Sequence, residues 1–232
     1  MTVLIIHGSP RKQGCSSSIA RKITDKLNPD KLLEIDLQKE NLPYCKGCLN
    51  CVYKGIEYCP HSEQTLSFKE KILEADTIII ATPVYILHMS GQLKTFIDHY
   101  PSMFLIHRPE KKMYNKQLIV IATAAGPVFK QTLKEIKECF TFFGISRIYK
   151  LGVAVQAENY KKIKPKKMQE IDTKIDRIIK KVKRNEKSKK VSIKIRAWFY
   201  ISRIMQNKVR TSDADYDYWD KNNWFKKERP WQ

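Results

Sequence analysis

Apolar positions in the first two-thirds of the chain fall in short unbroken runs, separated by stretches with helical spacing. TVLIIHG (2–8), KLLEIDL (31–37), DTIIIATP (76–83), QLIVIATAA (117–125) and RIYKLGVA (147–154) predict strands. Ile78, Ile79 and Ile80 are consecutive, the pattern of a parallel strand covered on both faces rather than a half-exposed strand that alternates. Between the runs, 16–27, 64–74, 90–100 and 128–143 predict helices. Met168, Ile171, Ile175, Ile178, Ile179 and Val182 recur at three- and four-residue steps, which predicts a fifth, amphipathic helix. Five such βα units in succession imply an α/β three-layer sandwich around a parallel sheet.

The rhythm stops near residue 187, so the chain divides into a domain over 1–186 and an extension over 187–232. In the extension Val191, Ile195, Trp198, Ile201 and Met205 mark an apolar stripe among Lys and Arg. SDADYDYWD and NNWFKKERPW follow, with Trp219, Trp224 and Trp231. So many aromatics predict a segment that packs, on its own domain, a second subunit or a membrane surface, and packing across a dimer is preferred over an interfacial helix on a membrane, 188–211.

Charge sharpens that division. Residues 160–232 hold 23 Lys and Arg against 9 Asp and Glu, whereas residues 1–159 hold 21 against 15. A basic surface attracts nucleic acid or anionic lipid, or is simply solvated. No zinc-finger spacing, helix-turn-helix pattern or aromatic RNA-binding strand supports nucleic acid. No signal peptide or long apolar span is visible, so a cytoplasmic protein is expected, in a compartment where clustered cysteines bind metal or do redox chemistry.

Ligands of an open parallel sheet bind beyond the C-terminal strand ends, where the strand order switches. The first such loop, HGSPRKQGCSSS (7–18), places Ser9, Arg11, Ser16, Ser17 and Ser18 around a new helix N-terminus, an anion site. It is neither a P-loop nor a G-x-G-x-x-G loop, and it suits one phosphate monoester such as that of FMN. In the second loop Pro83 and Val84 expose backbone, with Tyr85 and Ile86 able to flank a flat ring. In the third, Ala124, Ala125 and Gly126 are small enough for a ring to approach. Cys15, at the helix start, is placed where a thiol pKa falls. Cys139 is placed in the core.

GSPRK, then Cys-x-Gly-Cys, then TPVY and SGQLKTFIDH resemble in order the flavodoxin-like NAD(P)H-dependent FMN reductases over about residues 1–155. The resemblance implies a flavodoxin-like sheet of strand order 2-1-3-4-5, FMN at the strand ends, NAD(P)H as donor, and a homo-oligomer, dimer or tetramer. Pro127 departs from the glycine-rich form of the third loop.

Cys45, Cys48, Cys51 and Cys59 form C-x2-C-x2-C-x7-C. Such a run can hold a 4Fe–4S cluster, remain free thiols, or bind zinc, although zinc usually takes two separated pairs. The spacing resembles the iron–sulfur flavoprotein branch of the same family. His61, just past Cys59, could serve as a substitute ligand, although a solvent-facing histidine is the preferred reading. The functional expectation is an FMN-dependent NAD(P)H oxidoreductase. Its acceptor would be a quinone, a nitro or azo compound, free flavin or a carrier protein, with a non-enzymatic flavodoxin-type carrier as the alternative. The chemistry resides in the flavin, so no catalytic side chain is assigned.

Overall fold

A computed structural model describes residues 1–232 other than Lys12, Glu158 and Lys189. Five strands run parallel: β1 (Thr2–His7), β2 (Lys31–Asp36), β3 (Thr77–Tyr85), β5 (Gln117–Ala124) and β6 (Arg147–Ala154). The two-residue β4 (His88–Met89) folds back antiparallel on the end of β3. The order is β2-β1-β3-β5-β6, the expected flavodoxin-like arrangement with one short hairpin strand added.

Alternation along the strands explains the unbroken apolar runs. Val3, Ile5, Ile79, Ile119 and Ile121 share one core with α1 (Cys15–Leu27) and α7 (Pro165–Arg184). Leu4, Ile6, Ile78, Ile80, Leu118 and Val120 face the opposite core. There they meet α4 (Ser62–Glu74), α5 (Gly91–Asp98) and α6 (Lys130–Phe142). Successive side chains point to opposite faces, so a strand covered on both must be apolar at every position. Of two single turns, α2 (Leu37–Glu40) precedes the cysteine segment and α3 (Asn50–Tyr53) carries Cys51 within it.

The extension folds back onto this same chain. In α8 (Ile193–Lys208), Ile195, Phe199, Ser202 and Gln206 are buried. In α9 (Asp213–Lys221), Asp215 and Trp219 are. Phe199, Trp219 and Trp224 form a small aromatic core, with Phe199 stacked on Trp219 at 5.0 Å. Such pairs contribute about 0.5–1.5 kcal/mol beyond burial. Trp219 Nε1 donates to His107 O at 2.6 Å and Tyr218 Oη to Pro109 O at 2.9 Å, tying the core to the segment before β5. Of the three surfaces expected for the aromatic tail, Trp219 and Trp224 take their own chain, where both are buried. One expectation needs correcting. The buried stripe of α8 shares only Ile195 with the expected one, and Trp198, Ile201 and Met205 face solvent. The stripe turned because polar Ser202 and Gln206 point inward, and Gln206 Nε2 donates to Ile106 O and Thr211 Oγ1.

Candidate functional site

The strand order reverses beside β1, so the ends of β1 and β3 diverge and leave a crevice. Gly8 N donates to Ala81 O at 2.8 Å, fixing the start of the first loop to β3. The loop then curls: Arg11 N donates to Ser9 Oγ at 3.2 Å and Gly14 N to Arg11 O at 2.9 Å. A Cβ at Gly14 would stand 2.9 Å from Ser9 Oγ and 3.0 Å from Arg11 O, so the curl has no room for a side chain. Gly14 also precedes the first turn of α1, where no side chain caps the N–H groups and no acid competes. An uncapped, acid-free helix start favours an anion.

A cavity of about 270 Å³ opens there. Ser9, Arg11, Gly14, Cys15 and Ser16 line it from the first loop, and Pro83, Val84 and Tyr85 from β3. Thr123, Ala124, Ala125, Val155 and Ala157 complete it from β5 and beyond β6. Eight of the twelve residues expected to hold a flavin therefore lie on one wall or another. Ser17 is buried and Ser18 half-buried in α1, and neither they nor Gly126 line the cavity. Ile86 also stands apart. It and Leu87 form the two-residue turn of the β3–β4 hairpin with φ of 46° and 69°, a primed turn that points Ile86 outward at 92% exposure. Cys15 differs from expectation too, since burial pushes its thiol up. Thr123, Val155 and Ala157 were missed; the available signal was their place at or beyond the C-terminal ends of β5 and β6.

A second cavity of about 510 Å³ lies on the other side of Tyr85, which lines both. Its walls include Pro43, Tyr44, Gly91, Gln92 and Thr95. Ser90 starts α5 there, its hydroxyl accepting from Leu93 N.

The four clustered cysteines converge. Cys45, Cys48, Cys51 and Cys59 border one apolar void of about 30 Å³ together with His61, His99 and Pro101. All four are free thiols. Burial raises the Cys51 pKa, and the proximity of Cys59, Cys45 and Cys48 raises it further, as expected where four acidic sulfurs share one space. Exposed residues 45–49 form the outer wall of the void. His61 is half-buried rather than solvent-facing: its Nδ1 lies 2.9 Å from His99 Nε2. His99 Nδ1 is 2.8 Å from Thr95 O, which requires a proton on Nδ1, so Nε2 accepts from His61. Burial, His99 and Lys46 push the His61 pKa down. His61 N also donates to Cys59 Sγ at 3.5 Å. Ligand atoms of Cys59, His61 and His99 all lie within 4.8 Å of one another.

Arg108 supports this loop from below, donating to Cys51 O and, at 2.8 Å, to Val52 O. Its partner is Asp215 of α9, which also takes His107 Nδ1 at 2.8 Å and Thr211 Oγ1 at 3.1 Å. No local motif marks Arg108 or Asp215, and the SGQLKTFIDH stretch that ends at His99 gives no sign of its contact with His61, so these roles arise from distant chain segments.

The description of NADPH-dependent FMN reductases matches residues 1–144. The chain belongs to that family. Curated relatives include an iron-sulfur flavoprotein of Archaeoglobus fulgidus, 32% identical over 130 residues, 55% of this chain and 57% of that one. An NADPH azoreductase of a Bacillus species is 32% identical over 109 residues, 47% of this chain and 55% of that one. This reductase-family chain thus spans about half the length of the curated relatives it matches. An NAD(P)H:quinone oxidoreductase structure from Methanothermobacter marburgensis superposes with a TM-score of 0.60 at 14% identity, covering 81% of this chain and 96% of that one. An FMN complex of a Bacillus anthracis NADH-azoreductase gives 0.56 at 15% identity, over 77% and 100%. These likenesses carry the fold.

Proposed function

We propose that this chain is an FMN-dependent oxidoreductase that takes hydride from NADH or NADPH and passes electrons to a quinone, nitro, azo, flavin or protein acceptor. The observation that carries the reading is the cavity at the β1–β3 switch, with the side-chain-free curl at Gly14 leading into an uncapped helix start. The donor set suits a phosphate monoester followed by a flat ring. Ser9 and Ser16 hydroxyls, the Arg11 guanidinium and the first N–H groups of α1 would hold the phosphate. The Pro83–Val84 and Ala124–Ala125 backbones would border the ring, and Tyr85 would form the wall towards the second cavity. FMN, when bound, supplies two-electron acceptance from a nicotinamide and release in one or two electrons. Substrates would alternate in the cavity beyond Tyr85, where Tyr44 and Tyr85 offer aromatic faces to a planar acceptor.

The four cysteines fit a 4Fe–4S cluster by donor type and by convergence on one space, and the relative named an iron-sulfur flavoprotein favours it. Such a cluster would supply single-electron capacity beside the flavin. The ligand set Cys59–His61–His99 favours a second reading, one zinc ion held by one sulfur and two nitrogens.

Protein purified without oxygen should show flavin bands and oxidise NAD(P)H with a generic quinone. Iron and acid-labile sulfide at about four per chain would support the cluster, and one zinc without sulfide would replace it. A colourless protein that refuses added FMN would overturn the enzymatic reading. Bound FMN without NAD(P)H oxidation would leave a flavodoxin-type carrier.

A further inference from the structure

The inward turn of α8 leaves an apolar face that its own chain does not cover. At 100° per residue, Ile195, Phe199, Ser202 and Gln206 occupy one side, and all four are buried. The opposite side carries Ile193, Ile201, Ile204 and Met205, with Tyr200 and Trp198 at its edges, every one exposed. Ile193 is 84% and Ile204 57% exposed, an arrangement water disfavours.

Charge indicates what covers it. Between positions 187 and 212 the sequence holds eight Lys and Arg and no Asp or Glu. Exposed Lys208 and Lys194 fall within this face, on either side of Ile201, and exposed Arg196 and partly exposed Arg203 border it beyond Tyr200. The nearest acids along the chain are Glu186 before the segment and Asp213 after it. Asp213 is already paired with Arg210 at 2.9 Å. Arg196 and Arg229 additionally lie over the Trp231 and Tyr200 rings, at 5.8 and 5.2 Å. A second copy would set this basic face against an identical one, which like-charge repulsion opposes. A convex helix with exposed aliphatic side chains, edge aromatics and long basic side chains that can lift their charge past them matches instead an interface between anionic headgroups and acyl chains. No helix among the described residues is long and apolar enough to cross a membrane, so the contact would lie in the plane of the surface.

We infer that α8 docks the protein on an anionic lipid bilayer, through Ile193, Ile201, Ile204 and Met205 with Lys194 and Lys208 among them and Arg196 and Arg203 beside them. The contact is peripheral and reversible, and added salt weakens it by screening the cations.

The test is cosedimentation of the full chain with vesicles of phosphatidylcholine alone and of phosphatidylcholine with phosphatidylglycerol. The expected result is binding to the anionic vesicles only, reduced at high salt. Two double variants, Ile201→Asp with Ile204→Asp and Lys194→Glu with Lys208→Glu, should each weaken binding by about tenfold or more. All four positions are exposed and outside the candidate site, so thermal midpoint and flavin content should not move. Absence of binding to anionic vesicles overturns the inference, as does equal binding to neutral ones. So does a wild-type dimer, seen by sedimentation velocity, that the isoleucine variant dissociates, because the face would then cover a second copy.

Discussion

Arg108 and Asp215 form a buried ion pair between residues 107 positions apart in sequence, and the same guanidinium holds the carbonyls of Cys51 and Val52. The side chains are 14% and 0% exposed. The extension is thus coupled to the cysteine loop by an interaction that water cannot easily replace. Removing one member of such a pair strands the other, at about 3–5 kcal/mol.

Asp215→Asn is therefore expected to lower thermal stability by an amount in that range. It should also loosen the cysteine loop. Native-state labelling of the buried Cys51 thiol should accelerate by about tenfold or more, well below the unfolding temperature. Unchanged labelling with a lowered midpoint would mean that α9 stabilises the fold without holding the loop.

Gly14→Val should weaken FMN binding by about tenfold or more, measured by quenching of flavin fluorescence. The φ of Gly14 is −63°, so the residue itself suits valine. The obstacle is the space taken by Ser9 Oγ and Arg11 O, of which the carbonyl cannot swing aside. A variant that binds FMN normally would separate the curl from the cofactor.

A Cβ at Gly152 in β6 would stand 2.0 Å from Phe129 Cδ2. Gly152→Ala should displace that ring, which caps the start of α6 next to the third loop, and destabilise by about 1–3 kcal/mol. Pairing it with Phe129→Leu should recover part of the loss. Equal destabilisation in both backgrounds would exclude this contact as the cause.

Lys116 is buried, its Nζ donating to Leu73 O at 2.9 Å and to Ala75 O. Burial pushes its pKa down to about 8 from an ordinary 10.5, with Asp76 partly opposing. Between those values the unfolded chain carries a proton that the folded chain lacks, so this residue makes stability rise with pH across that window. The rise is up to about 3 kcal/mol. Denaturant midpoints at pH 7, 8.5 and 10 should show it as a difference between wild type and Lys116→Met, which lacks the titrating group. Parallel curves would place the ammonium in water.

The alternation of βα units, both core faces of β3 and the tight loop at 7–18 leading into α1 were legible because they depend on local spacing. Consecutive Ile78, Ile79 and Ile80 specify double coverage whatever covers them. Ser9, Arg11 and Ser16 lie one strand end from each other, so proximity followed from topology. The outward direction of Ile86 was not legible because it depends on the two-residue hairpin that β4 closes, and no periodicity reports a primed turn without glycine or asparagine. The α8 stripe was misjudged for a similar reason. Hydrophobicity chose Trp198 and Ile201, whereas a hydrogen-bonding opportunity for Gln206 at Ile106 O chose the face that went inward.

By itself the sequence determined the layered α/β architecture, the clustering of four thiols within seventeen positions and the basic character of the extension. Each is set by neighbours along the chain, through side-chain period, residue type and charge. Tertiary structure alone decided that His99 meets His61, that Asp215 reaches Arg108 beneath the cysteine loop, and that one apolar face of α8 remains uncovered. These depend on segments brought together from 38 to 107 positions away. Whether a buried charge or ring finds its partner is a property of the packed chain as a whole.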